Sequence, residues 1–179
     1  MAYEFKCNMI NKYIQNHIID GYTYFTLNEF NFIAWLNRIY NILQSSNIDL
    51  NECVNDYHTY YSIFKNETAI ADTIKIIIDK YKLNINMSTF NKINNINDVF
   101  SKYVNKKINE HIIMCSLELE SESIFTLGDV VYLNWLNIVS FGIEEHYRDH
   151  TYTFPDEFYE QYYNSGKTIE ETIKIIIKG

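Results

Sequence analysis

His146 and His150 stand four residues apart, with Glu145 and Asp149 beside them. On a helix this spacing sets two imidazoles on one face, as in many zinc sites. A third ligand is missing nearby, so is the general-base glutamate of H-E-x-x-H, and the first half of the chain holds no counterpart. The pair reads as surface histidines, and neither a metal nor a cofactor is expected. His17 and His111 are a different case, because each lies beside an apolar stripe and precedes two isoleucines. Such a repeated histidine could orient a substrate. The plainer expectation is a structural ring donating a hydrogen bond to a nearby carbonyl.

Trp35 and Trp135 could stack on a ligand, yet each falls within an apolar helical stripe and is expected in a core. Cys7, Cys53 and Cys115 are odd in number, lack C-x-x-C spacing, and show no neighbouring histidine pattern that would mark a nucleophile. They read as reduced thiols of a cytoplasmic protein. With five glycines the chain holds no G-x-G-x-x-G, P-loop or G-x-S-x-G motif. No catalytic residues are assigned, and an enzyme is not expected.

What chemistry the sequence offers is electrostatic. Residues 1–96 carry 8 Lys/Arg against 9 Asp/Glu, whereas residues 97–179 carry 7 against 14. Between Glu118 and Glu171 there are 12 acidic residues and only two bases, Arg148 and Lys167. An acidic face speeds encounter with basic grooves and disfavours wrong partners. Tyrosines interleave with these acids from His146 to Tyr163, and Tyr is enriched at binding hot spots. The expected partner-binding set is Glu118, Glu120, Glu122, Glu144, Glu145, Asp149, Tyr152, Asp156, Glu157 and Glu160, facing a protein with a basic surface. An ordinary solvated helix face would carry the same residues. Lys102, Lys106 and Lys107, with Lys75, Lys80, Lys82 and Lys92 upstream, lack an Arg-rich stripe or glycine-aromatic motif, so direct nucleic-acid binding is not expected.

The elements that must position these residues are written nearly twice. Asn11 to Ile19 reappears as Asn105 to Ile113, Phe25-Thr26-Leu27 as Phe125-Thr126-Leu127, and Thr73 to Ile78 as Thr172 to Ile177. Trp35-Leu36-Asn37 likewise returns as Trp135-Leu136-Asn137. Matched blocks in one order point to a tandem duplication. The fold is read as mainly α: two tandem pseudo-symmetric units of about four helices each, at 3–82 and 97–179. A connector at 83–96 carries a helical turn after Ser88-Thr89.

The opening stripe Phe5, Met9, Ile10, Ile14 and Ile18 maps onto Val99, Tyr103, Val104, Ile108 and Ile112, all apolar at helical spacing. Thr26/Glu29, Thr126/Asp129 and Thr168/Glu171 are capping boxes, the Asp version being the weaker. Asp20-Gly21 is a glycine stop. Short extended pieces are expected at Tyr22–Phe25 and Leu117–Phe125, the latter readable as strand or as helix end. The two units are expected to pack as one pseudo-symmetric body.

No run approaches the roughly 20 apolar residues a membrane span needs, and no signal peptide is read at the start. Abundant Asn, Ile, Lys and Tyr with few Ala, Gly and Pro suit an AT-rich genome, bacterial, phage or viral. Together these readings favour a non-enzymatic inhibitor from a phage or virus that mimics nucleic-acid charge to occlude a host defence nuclease, such as a CRISPR enzyme. An assembly module is the alternative, and a small-molecule site near His17 and His111 is the third.

Overall fold

The structure, a computed structural model, describes residues 4–53, 56–94, 96, 98–118, 123–147 and 154–178. They are mainly helical, with ten helices and one two-stranded sheet among them. In chain order the elements are α1 (Asn8–Ile19), β1 (Tyr24–Thr26), α2 (Leu27–Ser45), α3 (Leu50–Cys53), α4 (Tyr57–Lys65) and α5 (Ile70–Tyr81). There follow α6 (Met87–Ile93), α7 (Lys102–Glu118), β2 (Ser123–Thr126), α8 (Leu127–Tyr147), α9 (Asp156–Asn164) and α10 (Ile169–Lys178). Two compact units divide the chain. One holds 5–22 and 31–99; the other holds 1–4, 23–30 and 100–179.

Local signals place the helix ends. At α2 the Thr26 amide donates to Glu29 Oε2 at 2.7 Å and the Glu29 amide returns to Thr26 Oγ1 at 3.2 Å. The Asp version at α8 closes as well, with 2.9 and 3.1 Å between Thr126 and Asp129. The shorter carboxylate therefore reaches its amide after all. Thr168 and Glu171 repeat the box at α10, at 2.9 and 3.1 Å. Each box satisfies two amides that the first helical turn leaves without carbonyls.

Gly21 ends α1 at φ +89°, with the paired bonds Gly21 N–H to Ile18 O and Tyr22 N–H to His17 O of a Schellman turn. The same bond pair ends α9 at Gly166, and ends α2 and α5 at Asn47 and Lys82, both at positive φ. Glu67, after α4, is a third non-glycine residue in this left-handed region, at φ 55°.

In the first unit, α2 buries Phe32, Trp35, Leu36, Ile39 and Leu43. Tyr13 from α1 meets Phe32 edge-on at 5.1 Å, and Phe64 from α4 lies 5.6 Å from the Trp35 ring. Asn16 donates to the Tyr57 hydroxyl at 2.8 Å, tying α1 to α4. Cys7, at the α1 start, supplies no side-chain cap. Asn51 of α3 substitutes, accepting from the Asn8 amide at 2.8 Å and donating to the Lys6 carbonyl at 2.9 Å. Ile18, the last of the expected stripe, is exposed, whereas its neighbour His17 in the same last turn of α1 is buried. The connector is more ordered than one turn: α6 spans seven residues, capped by Asn86 on the Thr89 amide, and buries Ile93.

In the second unit, β1 and β2 pair antiparallel with Phe25 opposite Phe125 and an irregularity after Phe25. Both phenylalanines are buried, and Phe30 stacks on Phe125 at 4.6 Å and on Phe100 at 5.5 Å. Of the expected piece Leu117–Phe125, residues 117–118 close α7 and 123–125 belong to β2, while 119–122 lie outside the described residues.

Val130, Leu133, Trp135, Leu136, Val139 and Ile143 of α8 are buried, each apolar side chain contributing about 1.5–3 kcal/mol. Asn137, also buried, accepts from the Ser101 amide at 2.9 Å, while Ser101 Oγ accepts from the Val104 amide at 3.2 Å. These two bonds fix where α7 starts. Gly142 lets α10 approach α8, for a Cβ there would lie 2.5 Å from Ile173 Cδ1.

Candidate functional site

The compact units sharpen the charge asymmetry. Residues 5–22 and 31–99 carry 8 Lys/Arg and 8 Asp/Glu; residues 1–4, 23–30 and 100–179 carry 7 and 15. The first unit is thus formally neutral and the second holds the whole net charge of −8.

Within the acidic unit α9 gathers carboxylates and aromatic rings on a short frame. It follows Pro155, which cannot donate to a preceding turn. Asp156 and Glu157 fill its first turn, where the helix dipole favours negative charge. Tyr159 is buried on the inner face, and Tyr163 meets Trp135 at 5.3 Å and Tyr132 at 5.0 Å. Glu157, Glu160 and Gln161 are exposed on the outer face. Along the border Phe158 stacks on Phe154 at 4.8 Å and meets Tyr162 edge-on at 4.8 Å, a half-buried row four residues apart.

Asp156 anchors the helix inward. Tyr103 Oη donates to Asp156 Oδ1, and Lys107 Nζ, also 3.6 Å from Glu110, bonds Oδ2. Burial alone would raise the Asp156 carboxyl, but the Lys107 and Tyr103 bonds outweigh it and hold it below the usual carboxylate range. Tyr103 is pushed up by burial, then by the adjacent Asp156. Tyr132 is raised by burial and by Glu160 and Asp156, and Tyr163 by burial. These phenols keep their protons, so Tyr103 has a hydrogen to donate to Asp156.

The expected docking residues fall into separate groups. Asp156, Glu157 and Glu160 share α9, and Glu145 is exposed near the α8 end. Glu144, by contrast, is 6% exposed and faces inward. Glu118 closes α7, while Glu120, Glu122, Asp149 and Tyr152 lie outside the described residues. Tyr103 and Lys107, which hold Asp156, were not foreseen; their spacing of four marks a shared face of α7 but not their distant partner.

Among the histidines, His111 places Nε2 3.0 Å from the Ile124 carbonyl and stacks on Phe125 at 4.8 Å. A carbonyl only accepts, so Nε2 carries the proton, and the expected structural bond is present. Cys115 Sγ lies 3.5 Å from the same nitrogen, a pairing that the i, i+4 spacing of His111 and Cys115 could have signalled. His17 is buried between the rings of Tyr13 and Tyr22, at 6.4 and 5.1 Å. Trp35 and Trp135 are both core residues. His146 is exposed against Tyr147, and His150 lies outside the described residues.

Among the described residues no group of three His, Cys, Asp or Glu could hold a metal ion, and no helix is long and apolar enough to cross a membrane. No protein-family model matches the chain, and neither a curated protein nor a solved structure matches it.

Proposed function

We propose that the acidic unit is a docking module that occludes a basic, nucleic-acid-binding surface on another protein. The observation that carries this reading is the partition of charge: −8 on one compact unit and zero on the other. A negative field of that size draws basic grooves in and excludes acidic competitors. Of the expected docking set, Glu145, Glu157 and Glu160 are exposed among the described residues, and the Phe158–Tyr162 row supplies rigid contact area beside two of them. The concrete version is an inhibitor from a phage or virus, acting in the host cytoplasm against a defence nuclease by charge mimicry. No chemistry on a substrate is required.

The test is capture from bacterial and eukaryotic lysates at about 50 and about 200 mM salt, with wild type beside the triple variant Glu145→Lys, Glu157→Lys, Glu160→Lys. A nucleic-acid-binding protein held at low salt, weakened at high salt and lost in the variant is expected. Capture indifferent to salt and to charge reversal eliminates the reading.

The recurrence of sequence blocks is best explained by duplication of one helical unit. Its support is the register that sets Phe25 against Phe125, residues in equivalent blocks, together with capping bonds of one pattern at Thr26 and Thr126. A strand pair centred on equivalent residues is what a local two-fold axis generates.

A second reading, assembly, is favoured by exposed large apolar side chains on the acidic unit: Ile113 and Met114 on α7, with Tyr24 on β1. Light scattering on the eluted species separates the two. A concentration-independent oligomer supports assembly, and a monomer supports docking to another protein.

A further inference from the structure

We draw no further inference here: the strongest candidate, the His111–Cys115 pair on α7 beside β2, carries nothing because the ring nitrogen nearest the thiol already donates to the Ile124 carbonyl and no second observation among the described residues points to a ligand there.

Discussion

Asp156 is where the candidate surface and the stability of its frame meet, so its removal is the sharpest perturbation. Three contributions can be sized. With the carboxylate side chain 45% exposed, solvent screening holds the Lys107 ion pair to about 0.5 kcal/mol. The Tyr103 bond to a charged acceptor is worth about 1 kcal/mol after the same discount. Placement in the first turn of α9 adds about 0.5 kcal/mol through the helix dipole. Asp156→Ala therefore costs about 2 kcal/mol by these contributions, and Asp156→Asn, which keeps an acceptor for Tyr103, about 1 kcal/mol.

The pH dependence has a definite sign. The folded carboxyl titrates below its unfolded value, so its stabilisation is complete above about pH 4 and is lost as pH falls through the lower folded value. Urea unfolding followed by tryptophan fluorescence, at about pH 7 and about pH 2.5, reads both effects. The gap between wild type and Asp156→Asn is expected to shrink in acid. In a double-mutant cycle of Asp156→Ala with Tyr103→Phe, a coupling of about 1 kcal/mol is expected at neutral pH. A cost below about 0.5 kcal/mol for Asp156→Ala, or a gap unchanged in acid, refutes the assignment.

Three more outcomes follow from particular side chains. Glu67→Gly relieves a left-handed glutamate and is expected to stabilise by about 0.5–1 kcal/mol, whereas Gly166→Ala, at φ 69°, costs about 1 kcal/mol; chemical denaturation midpoints check both. Gly142→Ala drives a Cβ against Ile173 and costs about 1 kcal/mol, and adding Ile173→Val, which deletes the clashing Cδ1, should cost less than the sum of the two single changes. Cys7 is fully buried and its thiol is pushed up to about 11 by burial, so it should resist alkylation at pH about 8 until the chain is unfolded, while Cys115, half-exposed, is labelled in the native state. Peptide mapping after a short iodoacetamide pulse decides it; native labelling of Cys7 would contradict the burial.

Features that depend on neighbours three or four residues apart are legible in the sequence. The capping boxes at Thr26, Thr126 and Thr168 form from residues within one turn, and the stripe from Phe32 to Leu43 follows the helical period. Pairings over long separations are not legible in the same way. The extended pieces expected at Tyr22–Phe25 and Leu117–Phe125 overlap β1 and β2, but the sequence does not show that they pair, since the partner of β1 lies about a hundred residues away. Residues 23–30 therefore join 100–179 in one compact unit, which a linear reading of the repeats does not foresee. The inward turn of Glu144 is hidden for another reason. From Leu133 to Ser140 every residue of α8 is buried, Asn134, Asn137 and Ser140 included, so hydrophobicity no longer marks which face is inside.

How much of the acidity does stability alone explain? Asp129, Asp156, Glu157, Glu170 and Glu171 all sit in first turns of α8, α9 and α10, where a carboxylate complements the dipole and, at Asp129 and Glu171, closes a capping box. A helical protein with no partner would gain from every one of them. Glu145 and Glu160 are different. Glu145 is exposed in the last turn of α8, where the dipole disfavours an anion by a few tenths of a kcal/mol, and Glu160 lies in the middle of α9 with no helix end to serve. On the docking reading proposed above, charge kept where the helix gains nothing from it serves recognition, not folding. Neutralising Glu145 and Glu160 to Gln should therefore leave the urea midpoint within error, or raise it, while weakening low-salt capture of a basic partner. Lost stability with unchanged capture would return these two carboxylates to the frame and remove the support they give to docking.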